Sequence, residues 1–181
     1  MYLLQTERLG LRNWQHSDMD VFAEMNADKE VMAFFPNMLS NEESLASAER
    51  FMEHFEKYGF TYFASETISD QQFIGFIGLM HQTYESPFTP CVDIGWRLRR
   101  TAWGKGFATE GAGACLNFAF SKIGLQEVIA VAPKLNVRSE NVMQKIGMVK
   151  VGEFNHPKIK ETSPLAICNV YKREGGQLIT A

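Results

Sequence analysis

The chain is 181 residues long, 45% apolar and 22% charged, a balance that fits a globular protein with one domain over 1–181 and length enough for a real core. Lys and Arg total 18 against 21 Asp and Glu, a net charge of −3, which leaves no cationic footprint for nucleic acid. Cys91, Cys115 and Cys168 lack metal-ligand spacing and fit free thiols in a reducing cytoplasm, and neither a leader nor a long apolar run marks export or a membrane span.

Residues 3–14 alternate loosely and read as a strand with Leu9 and Leu11 on one face, Arg8 and Arg12 on the other. Ser17 or Asp18 is placed to cap a helix that buries Val21, Phe22 and Met25. A short turn is expected over 29–34, before Pro36. Ser40 or Asn41, with Glu43 behind it, opens a longer helix to about Tyr58, whose Leu45, Ala48, Phe51, Met52 and Phe55 recur at three and four; Gly59 ends it. Residues 60–67 and 73–81 read as a hairpin, 84–90 as a loop with two prolines, and 91–98 as a central strand. A helix follows over 105–122, a strand over 128–131, and a helix over 136–146 stopped by Gly147. Final strands over 148–153 and 165–172 leave a frayed end from Gly175. No repeat or linker divides the chain. Such an order argues for a mixed sheet flanked by helices, an α/β (α+β) class.

The most informative stretch is Trp103-Gly104-Lys105-Gly106-Phe107-Ala108-Thr109-Glu110, a turn with two glycines between strand and helix. Glycine permits left-handed backbone and close approach of a ligand. Free N–H groups at a helix start, with the helix dipole, favour phosphate. The stretch fits neither the nucleoside-triphosphate loop, lacking a closing Gly-Lys-Ser/Thr, nor the dinucleotide fingerprint, since Thr109 stands where a third glycine is wanted. On these residues alone, an ordinary strand-to-helix turn is an equal reading.

Trp103-x-x-Gly106-x-Ala108 resembles the acetyl-CoA signature Gln/Arg-x-x-Gly-x-Gly/Ala of the GCN5-related N-acetyltransferases (GNAT), with Trp103 departing at the first position. The fuller string is similar to the ribosomal-protein N-acetyltransferase (RimJ/RimL-like) branch, where that Trp is ordinary. Three more stretches support the resemblance: residues 6–12, Asp93-Ile94-Gly95-Trp96, and Asn136-x-x-Ser139-x-x-Val142-x-x-Lys145-x-Gly147-Met148. They run in order to about residue 154. The resemblance implies the acyl-CoA N-acyltransferase fold: a mixed, mostly antiparallel central sheet, splayed where pantetheine enters like an extra strand. It implies acetyl-CoA as cosubstrate and no metal. The acceptor implied is a primary amine, a protein N-terminus first and a small amine such as a polyamine or aminoglycoside second. A longer acyl group stays open, as does monomer against homodimer. The rival reading is a non-catalytic acyl-CoA-binding or regulatory protein.

Direct transfer in a ternary complex asks for a neutral amine, a donor to the carbonyl and stabilisation of the leaving thiolate. With pKa values near 8 and 10.4, roughly a tenth of an α-amine but well under a thousandth of a lysine is neutral at pH 7. The resemblance offers Asp93 as base, directly or through water. The competing reading is a strand carboxylate in water or paired with an arginine such as Arg97. Glu85 and His156 are weaker alternatives to Asp93 on the substrate side, with His156 otherwise a surface loop histidine, and Trp96 lines the acetyl or acceptor pocket or simply joins the core. Many relatives carry a donating Tyr seven residues after the Asn; Met143 stands there, and Ser139 is the alternative donor to the thiolate. Asn136 either bonds pantetheine amides, or caps its helix with Ser139 completing a weak capping box. Backbone groups of Leu98, Arg99 and Arg100 are expected on pantetheine and diphosphate. Trp103, Gly104, Lys105, Gly106, Phe107, Ala108 and Thr109 are expected to cradle the diphosphate, with Lys105 and Arg100 as charge partners or solvated cations. Lys145 is a weaker candidate for the nucleotide end.

Overall fold

The computed structural model describes residues 1–176 and gathers eight strands into one mixed sheet flanked by four helices. The strands are β1 (Leu4–Gln5), β2 (Leu9–Arg12), β3 (Tyr62–Thr67), β4 (Phe73–Gln82), β5 (Cys91–Leu98), β6 (Glu127–Pro133), β7 (Val149–Asn155) and β8 (Ile167–Glu174). The helices are α1 (Met19–Ala27), α2 (Asn41–Tyr58), α3 (Phe107–Phe118) and α4 (Val137–Lys145). Spatial order is β1-β2-β3-β4-β5-β6-β8-β7, antiparallel throughout except between β5 and β6. This is the expected fold.

Period-two alternation builds a core on each face of the sheet. Leu11, Phe63, Ile77, Leu79 and Ile94 point to one side, where Ala112 and Leu116 of α3 and Met143 of α4 close over them. Their neighbours Ala64 and Phe76 point to the other, under Phe22 of α1 and Phe51 of α2, joined by Trp14 and Phe73. The α2 boundaries follow from local chemistry. The Ser40 hydroxyl accepts the Glu43 N–H while the Glu43 carboxylate accepts the Ser40 N–H, and Gly59 closes the helix at φ +75°.

Three expected elements differ. The opening segment is two short strands rather than one. The Thr6 N–H donates to the Leu9 carbonyl, and the Leu9 N–H donates back to the Thr6 hydroxyl, a side-chain bond that competes with a continuous ladder. Asp18 does not cap α1 through its side chain. Its carboxylate instead accepts from both terminal nitrogens of Arg12. Helix α3 starts at Phe107 because Gly104 and Gly106 sit at φ +73° and +82°, outside helical space. Of the end expected to fray, Gly175 donates its N–H to the Gln126 carbonyl at 2.8 Å, and residues 177–181 lie outside the described residues.

What the topology does for the site is concentrated between β5 and β6. Every residue of β5 is registered with β4, from Gln82 opposite Cys91 to Gly75 opposite Leu98. Toward β6 the register holds a single pair, Asp93 with Ile129. Beyond it the two parallel strands part, and the sheet opens toward their C-terminal ends.

Candidate functional site

At that opening lies a cleft of about 640 Å³, walled by Trp96–Leu98 of β5, the Trp103–Thr109 turn, the first turns of α4 and the α1–α2 linker. Of the residues singled out in the sequence, it brings together Trp96, Arg97, Leu98, Trp103, Gly104, Gly106, Phe107, Ala108, Thr109, Asn136, Ser139 and Lys145. Arg99, Arg100, Lys105, Asp93, Glu85 and His156 do not line it.

The turn is built around its backbone donors. The Trp103 N–H closes a short turn on the Arg100 carbonyl, and helical bonding resumes with Glu110 donating to Gly106. Between them the N–H groups of Gly104, Lys105, Gly106, Phe107, Ala108 and Thr109 donate to no group among the described residues. A side chain at Gly104 would stand in open space, and one at Gly106 would meet only the Arg8 guanidinium, so protein packing does not cover this surface. Six consecutive unpaired donors at the positive end of a 12-residue helix form an anion cradle.

A clamp from the far edge of the sheet holds this turn in shape. The Glu110 carboxylate, in the first turn of α3, accepts from the Thr6 hydroxyl at 2.5 Å, the Arg8 N–H at 2.9 Å and Arg8 Nε at 2.7 Å, while Arg8 Nη1 donates to the Lys105 carbonyl at 2.9 Å. Burial would raise the Glu110 pKa, but the bonds from Thr6 and Arg8 outweigh it and hold the carboxyl below its ordinary value. Both halves of this clamp sit in the strings 6–12 and 103–110, yet nothing in either string says that they meet.

On the opposite wall Asn136 caps α4, its side-chain oxygen accepting the Ser139 N–H at 3.2 Å. The Asn136 amide nitrogen and the Ser139 hydroxyl bond no other described group, so both remain as donors beside the cleft. Met143 is 2% exposed, a core residue with nothing to donate. Trp103 spans the turn: its indole N–H donates to the Leu98 carbonyl at 2.8 Å, and the Arg138 guanidinium lies 4.6 Å over its ring. That bond takes one of the two lone pairs of the Leu98 carbonyl. Arg100 pairs with Asp28 at 2.7 Å and Glu30 at 2.5 Å, which ties the α1–α2 linker to the end of β5 and occupies a cation expected to be available.

Asp93 belongs to a second group. It points away from Ile94 and takes the Tyr62 hydroxyl at 2.7 Å rather than Arg97. Burial pushes its carboxyl up to about 6, opposed by bonds from Tyr62 and Gln82 and by the charge of Lys158. Tyr84 stands within the field of Asp93, and its ring is 4.6 Å from His156, whose pKa is lowered by burial and then by Lys158. Glu85 is exposed one residue along. Arg97, weighed in the sequence only as a partner for Asp93, instead donates to Asn26 and lines the cleft. Chemically the two groups are complementary. One side is made of donors for an anion, and the other holds a carboxylate poised to take a proton near neutral pH.

The comparisons agree with this geometry. Residues 8–149 match the acetyltransferase (GNAT) domain family. The chain is 28% identical to the uncharacterised N-acetyltransferase YnaD of Bacillus subtilis over 151 residues, 83% of this chain and 85% of YnaD. It superposes on a GNAT-family acetyltransferase from Bacillus anthracis with TM-score 0.79 and 25% identity, covering 94% of this chain and 97% of that one. It also superposes on the spermidine N-acetyltransferase of Vibrio cholerae, solved in complex with CoA and spermine, with TM-score 0.73 and 16% identity over 93% and 96% of the two chains. Among the described residues no helix is long and apolar enough to cross a membrane, and no cluster of three His, Cys, Asp or Glu has metal-site geometry.

Proposed function

Because the chain belongs to the acetyltransferase (GNAT) domain family, we propose that it transfers an acetyl group from acetyl-CoA to a primary amine, as a member of the RimJ/RimL-like branch. The observation that carries this reading is the run of six unpaired N–H groups from Gly104 to Thr109 beside the gap between β5 and β6. Acetyl-CoA, when bound, supplies an activated thioester carbonyl. The donors of the turn hold its diphosphate, and the unpaired edge of β5 beyond Asp93 faces its pantetheine. The Asn136 amide nitrogen is the side-chain donor for a pantetheine amide.

The remaining roles follow from charge. Ser139 hydrogen-bonds the departing sulfur; a hydroxyl is too weak an acid to do more than stabilise a thiolate. Asp93 takes the amine proton, through water where the acceptor lies beyond its short side chain. With a pKa near 6 the Asp93 carboxylate is mostly ionised at pH 7 yet basic enough to help. Such modest assistance suits an α-amine better than a lysine. Trp96 packs against the acetyl end, and His156 and Glu85 edge the acceptor side.

The test is acetyl-CoA cleavage, read as free thiol, against a panel of amines. Acceptor-dependent release is expected, and Ser139→Ala should lower turnover by about 10-fold or more with CoA affinity little changed. The buried Met143 in the place of a tyrosine favours a second reading, a CoA-binding protein without transfer. Saturable CoA binding with no thiol release from any amine would select it.

A further inference from the structure

Arg97 is a polar residue of the cleft that the preceding roles leave unused. Its Nη1 donates to Asn26 Oδ1 at 2.7 Å, and Asn26, fully buried, is held in turn by Ser44. The guanidinium carbon lies 3.9 Å from the Phe35 ring centroid and 5.4 Å from that of Phe76. Nε is enclosed and has no hydrogen-bond partner. Nη2 donates to no described residue and is not enclosed. No carboxylate among the described residues lies within ion-pair distance; Asp28 and Glu30 are taken by Arg100, and Asp93 by Tyr62. Burial draws the guanidinium down to about 10, so it stays cationic at neutral pH.

A half-buried cation held by two rings and one amide, with one edge of its fork unused, is arranged for a partner from outside the chain. Arg97 shares the face of β5 with Asp93, two alternations further toward the cleft. Arg97 lines the same cleft as the α3 turn but packs with Asn26, Phe35 and Phe76 on the α1–α2 side of the sheet, whereas α3 packs on the other, so an anion at Arg97 is assigned to the molecule that presents its amine near Asp93 rather than to the diphosphate. Arg138 and Lys145 line the α4 wall of the cleft, Arg138 over the Trp103 ring, so Arg97 is the cation on the β5 wall; with the Glu30 carboxylate in the same lining, it suits a monoanion rather than a phosphate.

We infer that Arg97 anchors a carboxylate of the acceptor, so that the preferred substrate is an amine that also carries a carboxylate. The inference rests on the acetyl-transfer reading and names its substrate class. Asn26 and Phe35 are positioning residues that hold the guanidinium toward the cleft.

The experiment compares matched acceptors that differ only in the carboxylate: phenylalanine with phenethylamine, γ-aminobutyrate with butylamine, and Ala-Glu amide with Ala-Gln amide. The first two pairs represent free amino acids and the third a peptide N-terminus. Wild-type protein is expected to favour the acidic member of at least one pair by about tenfold or more in kcat/KM, mostly through KM. Arg97→Gln should bring that ratio to within about twofold while CoA affinity by calorimetry holds. Arg97→Lys should restore part of it, since a point charge replaces a fork. Asn26→Asp, nearly isosteric, places a carboxylate on the guanidinium and should also erase the preference, which covers the case of an unfolded Arg97→Gln. Equal use of both members of every pair by the wild type, or a preference that survives Arg97→Gln and Asn26→Asp, overturns the anchor. If no amine releases thiol, the transfer reading itself fails. The anchor then stands or falls on whether N-acetylated carboxylates bind the CoA-loaded wild type and not Arg97→Gln.

Discussion

Arg12 and Arg97 are both strand arginines, one buried and one half-buried, and their surroundings could hardly differ more. Arg12 is 6% exposed and fully compensated: Nε goes to Glu66 at 2.6 Å, the two terminal nitrogens go to Asp18 at 2.7 and 2.9 Å, and Tyr2 completes Glu66. Arg97 has an amide, two aromatic faces and an orphaned Nε. The same contrast extends to the backbone. Around Arg12 the polar groups find partners inside the protein, whereas around the cleft six amide donors, the Ser139 hydroxyl and the Asn136 amide nitrogen do not. An unmade hydrogen bond in a folded chain costs free energy. A region that leaves many unmade is one whose partners arrive from solution.

If the contrast is real, damage on the Arg12 side should appear in stability and damage on the cleft side in affinity or rate. The largest effect is expected from Arg12→Ala, which strands two buried carboxylates. It should cost about 3–5 kcal/mol in urea unfolding, with the CoA affinity of the folded fraction retained. Next is Gly106→Glu. A non-glycine residue at φ +82° is strained, and a carboxylate there opposes the diphosphate. CoA binding by calorimetry should weaken by about 100-fold or more, on the order of 2.7 kcal/mol. Unaltered CoA affinity would remove the turn from the ligand site.

Asp93→Asn tests the acceptor side through pH. The folded pKa of about 6 lies above the ordinary 3.8, so ionising Asp93 disfavours the folded state. Wild-type stability should fall as pH rises from about 4 to 6, and the variant should lack that fall. Wild-type kcat/KM should climb through the same range as the carboxylate forms. An acidic limb left in place in Asp93→Asn would move the base elsewhere. The smallest effect belongs to the clamp. The Glu110 pKa is depressed, so its contribution is complete above about 4.5 and fades as pH falls through the folded value. Glu110→Gln should cost about 1 kcal/mol at pH 7, discounted because Arg8 is half exposed, and progressively less as pH falls below about 4.5. Parallel melting curves across pH measure it.

How far these features were legible before the structure depends on their range. Ser40 with Glu43, Gly59, and the glycine turn before α3 are written within a few residues of one another, and their elements appear where expected. The splay of β5 from β6 came from family resemblance, since no local pattern says where two parallel strands stop pairing. Asp18 shows the limit of local reasoning. It has the chemistry of a helix cap, yet a stronger partner six residues upstream takes it. Arg97 shows another. On one strand a neighbouring Asp93 looks like its partner, but Asp93 finds Tyr62, 31 residues away, and Arg97 finds Asn26, 71 residues away. Side-chain pairings at that separation are set by topology, and a single sequence does not print them.

The clamp from Thr6 and Arg8 to Glu110 spans more than a hundred positions of chain. Such a closure carries a loop entropy that grows with chain separation, and contacts of this range slow folding. The unpaired amides of the turn therefore acquire their final spacing only when the earliest-synthesised hairpin has found a helix translated long after it. The shape of the proposed CoA turn is in this sense tied to the docking of the first two strands on α3, and a chain in which they have not docked would carry the glycine turn without yet being able to use it.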